Sequence, residues 1–220
     1  MDKIVVSGSA SGIGAAVRAR LLAAQREVIG IDLHDAEVIA DLSTPEGRRM
    51  AIGTTLSLCG GTIAGLVACA GVGPQVRPHG KIVEVNYFGA VALFEGLRPA
   101  LAASGGASAV AVSSNSIKFV PGADGEVAAA CLAREEGRAT GLAGAVHGPV
   151  VYAATKLALT RYVRRHAVEP EWAGAGIRLN AVAPGAIQTP LLQGGLEHPE
   201  PVSYTHLRAH ETKANLVCRL

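Results

Sequence analysis

The sequence predicts an α/β protein in which helices cover both faces of a doubly wound parallel sheet. Short apolar runs rich in Val and Ile alternate with helical patterns, glycine turns follow these runs, and one central run is apolar throughout. A continuous apolar run is typical of a parallel strand buried on both faces, and the alternation is typical of a parallel sheet. Ligands of such sheets bind beyond the carboxyl ends of the strands, so functional residues are expected at those positions.

The first strand and the first helix flank a turn that contains three glycines. Residues 4–6 are β-branched, and residues 15–24 are rich in strong helix formers. Gly8, Gly12 and Gly14 lie between them, where a tight turn needs positive φ or a backbone must approach closely. The N-terminus of a helix presents free backbone N–H groups and a positive dipole end. The turn therefore predicts an anion site that suits a diphosphate.

The second predicted strand, residues 28–32, ends at Asp32. Asp32 follows the glycine turn at roughly the 20-residue offset at which a carboxylate meets the adenosine ribose hydroxyls. A carboxylate there repels the 2′-phosphate of NADP, no basic residue lies in the glycine turn, and Leu33 follows Asp32. The sequence therefore favours NAD over NADP. The alternative interpretation of Asp32 is a turn or helix-capping residue.

The later elements continue the alternation. We expect, in order, a strand at 37–42, a helix at 45–58, a buried strand at 63–71, a helix at 81–102, a strand at 107–112, a helix from 150 and a strand at 177–182. A long Ala/Gly-rich insertion occupies about residues 115–150, and its residues 124–138 are compatible with one helix. Insertions of this length are commonly a lid, a substrate wall or a contact surface, and the sequence does not choose among these.

Tyr152 and Lys156 are four residues apart on the predicted helix, and hence lie on one face and one turn apart. The pKa of a free tyrosine is about 10, which is too high for a general base at neutral pH. A neighbouring ammonium stabilises the phenolate and lowers that pKa, so Tyr152 is a candidate base for a hydroxyl proton. Ser114 ends a strand and can donate a hydrogen bond to a substrate oxygen. Taken alone, the Tyr–Lys spacing is short and common and favours an ordinary surface pair. Ser113 is an alternative to Ser114.

Four ordered motifs between residue 3 and about residue 196 resemble those of the short-chain dehydrogenase/reductase family. They are the glycine turn 7–14, Cys69-Ala70-Gly71, the Tyr152–Lys156 pair and the segment 180–185. Ser7 stands where the family usually has threonine, and Cys69 replaces an asparagine that helps to brace the sheet. The insertion and four further stretches resemble a bacterial branch that acts on 3α-hydroxysteroids and carbonyl compounds: residues 30–32, 35–44, 85–90 and 184–192.

The resemblance implies a Rossmann-like fold and an NAD-dependent oxidoreductase that interconverts a secondary alcohol and a ketone. Its implied catalytic residues are Asn86, Ser114, Tyr152 and Lys156, where Asn86 holds a water that links Lys156 to solvent. The alternative for Asn86 is a helix-interior residue bonded to nearby backbone. Asp41 and Leu42 would meet the adenine, Ala70 and Gly71 the adjoining ribose, and Ile187 and Thr189 the carboxamide. The full implied cofactor set is Gly8, Ser11, Gly12, Ile13, Gly14, Asp32, Leu33, Asp41, Leu42, Ala70, Gly71, Tyr152, Lys156, Ile187 and Thr189.

Composition and charge limit the classes of molecule that the protein is expected to bind. The net charge of +2 over 220 residues gives no argument for nucleic acid or a membrane surface, and no apolar run is long enough to span a bilayer. The first strand begins at residue 3 with no preceding apolar leader, and the four cysteines lack pairing or metal-ligand spacing. We therefore expect a cytoplasmic enzyme for a small alcohol or ketone, with steroids among the candidate substrates. The resemblance implies a homo-oligomer for the full-length form.

From Val202 onward the character of the sequence changes and resembles a translated sequencing-library adapter. We expect one NAD-binding domain at 1–201, C-terminally truncated, followed by a non-native tail at 202–220. His206 and His210 then lose their basis as a metal pair, and no metal site is expected. Two alternatives stay open beside the leading function: a dehydrogenase for another alcohol, and a catalytically impaired dinucleotide-binding protein.

Overall fold

A parallel sheet of six strands forms the centre of the computed structural model, which describes residues 3–196. The strands are β1 (Lys3–Ser7), β2 (Val28–Asp32), β3 (Val38–Ile39), β4 (Ile63–Ala68), β5 (Ser108–Val112) and β6 (Arg178–Val182). Their spatial order is β3-β2-β1-β4-β5-β6, and every pairing is parallel. The chain changes direction across the sheet between β1 and β4, which is where doubly wound sheets bind ligands. The predicted fold class is confirmed.

Eight α-helices accompany the strands within the described residues. They are α1 (Gly12–Ala23), α2 (Pro45–Cys59), α3 (Gly80–Val83), α4 (Ala90–Ala103), α5 (Glu126–Leu132), α6 (Glu136–Gly144), α7 (Gly148–His166) and α8 (Pro190–Leu196). Helix α2 begins as its sequence predicts, because Thr44 Oγ1 accepts a hydrogen bond of 2.9 Å from the Gly47 N–H. The helix ends at Gly60, which has a left-handed φ of 68°.

Two helical predictions differ from the structure. The helix expected at 81–102 is interrupted by a π-helical turn, Glu84–Gly89, between α3 and α4. The insertion forms two helices where one was considered, because Arg134 has a φ of 66° and an α-helix cannot continue through that conformation. The Arg134 side chain forms an ion pair with Glu95 of α4 at this break. Helix α5 packs against α7, and α6 packs against α3.

An aromatic cluster holds α4 and α7 together beside the sheet. The rings of Phe94 and Tyr162 are stacked with centroids 6.3 Å apart, and Trp172 meets Phe94 edge-on at 6.3 Å. All three side chains are buried. Burial of each large side chain contributes on the order of 2 kcal/mol, so the cluster stabilises the packing of α7, the helix that carries the candidate residues Tyr152 and Lys156.

No helix within residues 3–196 combines the length and the apolar character that a membrane crossing requires. Cys59, Cys69 and Cys131 are free thiols. The predicted domain end at residue 201 and the predicted foreign tail, 202–220, lie outside the described residues.

Candidate active site

The glycine turn brings the N-terminus of α1 against the ends of β1 and β4. Gly8 has a φ of 69°, and a Cβ at this position would lie 2.8 Å from the backbone nitrogen of Ala70. A Cβ at Gly14 would collide with the carbonyl oxygen of Gly8. Only hydrogen fits at these two positions, so the turn can lie closely over the sheet. The result is an open concave surface in front of the helix N-terminus.

A cavity of about 190 Å³ occupies this surface at the carboxyl ends of the strands. Its walls contain most of the residues that the sequence predicts for the cofactor: Gly8, Ser11, Gly12, Ile13, Gly14, Asp32, Leu33, Asp41, Leu42, Ala70, Gly71 and Thr189. We call it the nucleotide cavity. Residues far apart in sequence thus meet at one edge of the sheet, as the topology requires.

Asp32 is held in a fixed orientation at the end of β2. Its Oδ2 accepts a hydrogen bond of 2.9 Å from the Ala10 N–H, and its Oδ1 accepts one of 2.7 Å from the Leu33 N–H. Two backbone donors on one carboxylate pin the side chain across the glycine turn. The carboxylate is therefore already oriented at the wall of the cavity.

Asp41 provides a second carboxylate in the wall of the nucleotide cavity. Burial opposes its ionisation, but hydrogen bonds from Ser43 and the nearby cations Lys81 and Arg48 outweigh burial and lower the pKa of Asp41. The Ser43 N–H donates to Asp41 Oδ1 at 2.9 Å. This carboxylate is therefore ionised at neutral pH, and it forms a negatively charged wall.

A second cavity, of about 120 Å³, adjoins the first. We call it the reaction cavity. Ser114, Tyr152, Lys156 and Ile187 line it. The two cavities share five wall residues: Ile13, Cys69, Gly71, Thr189 and Leu191. A molecule long enough to fill the first can therefore extend into the second.

Lys156 is buried beside Tyr152 in the reaction cavity. Only 4% of Lys156 is exposed, and its Nζ donates a hydrogen bond of 2.8 Å to the Val112 carbonyl. The same Nζ lies 5.8 Å from the centre of the Tyr152 ring. Burial lowers the pKa of Lys156 to about 8, against the opposing influence of the nearby Cys69 thiol. Burial also raises the pKa of Cys69 to about 11.

Ser113 and Ser114 have different surroundings at the end of β5. The Ser113 Oγ donates to the Lys156 carbonyl at 3.0 Å and lies 2.7 Å from Thr160 Oγ1, so this buried serine joins β5 to α7. The Ser114 Oγ accepts a bond of 3.2 Å from the Ser116 N–H. A hydroxyl that accepts there keeps its own proton available for another partner. The geometry favours Ser114 as the donor to a ligand.

Asn86 is fully buried in the π-helical turn. Its Oδ1 accepts from the Val72 N–H at 2.8 Å, and its Nδ2 donates to the Val72 carbonyl at 3.0 Å. A Cβ at Gly71 would lie 3.2 Å from Asn86 Oδ1 and 3.5 Å from Lys156 Nζ, so the two side chains converge on Gly71. The alternative interpretation is a helix-interior asparagine bonded to nearby backbone. The Asn86 amide is indeed bonded to backbone, but this backbone belongs to the loop after β4 and not to its own helix. The water-relay role stays a prediction.

Two cationic residues near the nucleotide cavity, Lys81 and Arg48, were not predicted from the sequence. Lys81 lines the cavity from α3, and nothing in its local pattern indicates this, because the contact depends on how α3 lies against the sheet. Arg48 is buried behind the cavity wall. A signal for Arg48 did exist: it falls on the buried face of α2 with Ala51, Thr55 and Cys59, at helical spacing.

Among residues 3–196, no group of three or more His, Cys, Asp or Glu side chains is arranged to hold a metal ion. The fold, the glycine turn and the adjoining Tyr–Lys cavity together define a dinucleotide-binding α/β oxidoreductase. Comparison with known proteins agrees with this class and narrows it.

Residues 138–215 match a family model described as enoyl-(acyl carrier protein) reductase. The chain is 48% identical over 202 residues to the 3-alpha-hydroxysteroid dehydrogenase/carbonyl reductase of Comamonas testosteroni, and the match covers 90% of this chain and 78% of that protein. It is 36% identical over 205 residues to the coniferyl-alcohol dehydrogenase of Pseudomonas sp., covering 86% of this chain and 74% of that protein.

A solved structure is similar to this chain in both fold and sequence. The 3-alpha-hydroxysteroid dehydrogenase from Pseudomonas sp. B-0831, complexed with NADH, superposes with a TM-score of 0.89 at 45% identity, over 93% of this chain and 81% of that chain. The chain belongs to the short-chain dehydrogenase/reductase family. The family that the motifs resemble is thereby confirmed.

Proposed function

We propose that this protein is an NAD-dependent oxidoreductase that interconverts a secondary alcohol and a ketone, with 3α-hydroxysteroids and carbonyl compounds as its substrate class. The observation that carries this proposal is the presence of Ser114, Tyr152 and Lys156 in one cavity that adjoins the glycine-turn cavity. The names of the Comamonas enzyme and of the hydroxysteroid dehydrogenase from Pseudomonas sp. B-0831 support the substrate class. The NADH complex of the second enzyme supports the cofactor. The proposal includes a cytoplasmic location, which the free thiols support, and a homo-oligomeric assembly of the full-length form, which the family resemblance implies.

The residues present fit a dinucleotide. Gly8 and Gly14 leave no room for side chains, so backbone N–H groups at the start of α1 can approach a diphosphate. The pinned Asp32 carboxylate can accept hydrogen bonds from ribose hydroxyls and disfavours a 2′-phosphate. When bound, NAD supplies the hydride acceptor for alcohol oxidation.

The reaction cavity supplies the proton chemistry. We assign Tyr152 as the base that takes the hydroxyl proton of the alcohol, and Lys156 as the cation that favours its phenolate. Ser114 donates a hydrogen bond to the substrate oxygen and stabilises the charge that develops there. Because Lys156 is buried, its charge acts in a medium of low dielectric constant, where its influence on Tyr152 is stronger than in water.

We also assign Asn86 to proton transfer, through a water that connects Lys156 with solvent. The convergence of Asn86 and Lys156 on Gly71 supports this role, since a water between them would have polar partners on both sides. The bonds from Asn86 to Val72 hold the loop that borders this position.

The test is an absorbance assay for NADH formation with a panel of 3α-hydroxysteroids and simple secondary alcohols. Turnover should depend on NAD, and Tyr152→Phe should reduce it at least about 100-fold by removing the base. Tyr162→Phe is the matched control on the same helix, because Tyr162 lies in the aromatic cluster, and it should retain turnover.

If the protein oxidises other alcohols but not hydroxysteroids, the proposed substrate class is refuted and the oxidoreductase function stands. NADH binding without turnover of any alcohol would refute the enzyme function and favour a dinucleotide-binding protein.

A further inference from the structure

A single buried guanidinium, that of Arg48, supports the wall of the nucleotide cavity. Its Nε donates to the Leu42 carbonyl at 2.8 Å, and its Nη2 donates to the Ser43 carbonyl at 3.0 Å. Leu42 and Asp41 line the cavity directly. Arg48 therefore fixes the backbone of the turn that presents Asp41 and Leu42 to a ligand.

The same guanidinium also binds the insertion. Glu136, the first residue of α6, accepts from Arg48 through both carboxylate oxygens, at 2.8 Å from Nη1 and at 2.6 Å from Nη2. Nη2 also lies 3.3 Å from the Glu84 carbonyl, at the start of the π-helical turn that carries Asn86. Bidentate pairs of this kind combine strength with a defined geometry. One side chain thus contacts three parts of the molecule.

The charge balance around Arg48 makes the Glu136 contact consequential. The side chain of Arg48 is 8% exposed, so its charge needs a paired carboxylate. If Glu136 is removed, the carboxylates of Asp41 and Glu84 remain, and the charge of Arg48 acts on both. A shift of the guanidinium toward either one would move the turn at Leu42 and Ser43, which it now holds.

We propose that Arg48 and Glu136 are positioning residues that couple the insertion to the adenosine half of the cofactor site. The inference rests on the proposed function for the identity of the cofactor. Coupling is reciprocal, so binding of NADH stabilises the Arg48–Glu136 contact and α6 to the same extent that the contact favours NADH. The insertion then contributes to cofactor affinity from outside the cavity, although none of its residues lines the nucleotide cavity.

The experiment compares NADH binding by the wild-type protein, Glu136→Gln and Glu135→Gln. Glu135→Gln is the matched control, because the neighbouring Glu135 forms an exposed ion pair with Arg138 on the same helix. Titration of NADH fluorescence should give a dissociation constant raised about tenfold in Glu136→Gln and unchanged in Glu135→Gln, as expected when one member of a contact network is altered. The KM for NAD should rise by the same factor, while kcat and the KM for the alcohol stay as in the wild type.

Amide hydrogen exchange and thermal unfolding separate positioning from a merely structural role. In the wild type, NADH should slow exchange in residues 136–144, and Glu136→Gln should abolish that protection. Arg48→Lys keeps the charge and loses the fork geometry, so it should weaken NADH binding as well. If Glu136→Gln lowers the unfolding temperature but binds NADH within twofold of Glu135→Gln, the coupling is refuted. If the wild type does not bind NADH, the proposed function and this inference both fall.

Discussion

The Lys156 ammonium lies 5.8 Å from the centre of the Tyr152 ring. Two hydrogen bonds at the end of β5 hold the residue in this position. Its Nζ donates to the Val112 carbonyl of β5, and its own carbonyl accepts from the Ser113 hydroxyl. Lysine side chains on a surface helix sample many rotamers, whereas this one is anchored at both ends. The position of its charge is therefore set by the packing of α7 on β5.

Removal of the buried Lys156 amine should change how stability depends on pH. Because burial lowers its pKa from 10.5 to about 8, Lys156 binds fewer protons in the folded state than in the unfolded state between these values. Its unfavourable contribution is complete below about pH 8 and disappears as pH rises toward 10.5. The free energy of unfolding of the wild type, relative to Lys156→Met, should rise by up to about 3 kcal/mol across that window.

Denaturant titrations of both proteins at several pH values measure this difference. The comparison cancels groups common to both, such as Cys131, whose pKa burial raises to about 12. A difference that stayed flat or fell with rising pH would contradict a buried charge at Lys156.

Alanine substitutions at the two neighbouring serines should have opposite consequences. Ser114→Ala removes the proposed donor to the substrate oxygen and should reduce kcat about 10²-fold or more, with little effect on stability. Ser113→Ala removes buried hydrogen bonds to α7 and should lower the free energy of unfolding by about 1–3 kcal/mol. Steady-state kinetics and thermal unfolding of both variants decide the matter, and a larger kcat loss in Ser113→Ala would reverse the assignment.

Asp32→Ala should shift the cofactor preference toward NADP. The variant loses the acceptor for ribose hydroxyls and the repulsion of a 2′-phosphate, so the ratio of kcat/KM for NAD to that for NADP should fall at least about tenfold. Asp35→Asn is a suitable control, because Asp35 is exposed on the following loop. An unchanged ratio in Asp32→Ala would overturn the role of Asp32.

Two glycine-to-alanine substitutions should move stability in opposite directions. Gly8→Ala forces a side chain into a left-handed backbone conformation and against Ala70, which should cost about 1–3 kcal/mol. Gly53 lies in α2, and beyond the backbone of that helix no atom lies within 4 Å of the place that an added methyl group would take. Gly53→Ala should therefore gain about 0.5–1 kcal/mol. Thermal unfolding of the two proteins tests both, and a neutral Gly8→Ala would show that the turn relaxes without cost.

The features that sequence predicts well here are local. The glycine turn and Asp32 at a strand end lie close together in one short stretch of alternating strands and helix. The Tyr152–Lys156 spacing, in contrast, gains its meaning only beside the other motifs. General rules for parallel sheets place the carboxyl ends of all strands at one edge, but they do not fix the order of β1 to β6. These rules bring Asp32 and Gly71 to one edge although they are distant in sequence.

The features that sequence did not predict depend on contacts between distant segments. The strand expected at 37–42 is paired only at Val38–Ile39, and the turn that follows is held by Arg48 of α2. The break at Arg134 is accompanied by its ion pair with Glu95 and by its position 6.0 Å from the Tyr162 ring. Such residues look ordinary in their own segment, and only the assembled fold gives them partners.

Trp172 is the only tryptophan of the chain, and it is packed against Phe94 in the aromatic cluster beside the sheet. It is not among the residues that line the nucleotide or reaction cavity. Its emission therefore reports on the integrity of the α4–α7 packing, whereas the emission of NADH itself reports on occupancy of the cavity. Loss of the fold can thus be followed by the emission of Trp172 in the ligand-free protein, and loss of ligand affinity by the emission of NADH.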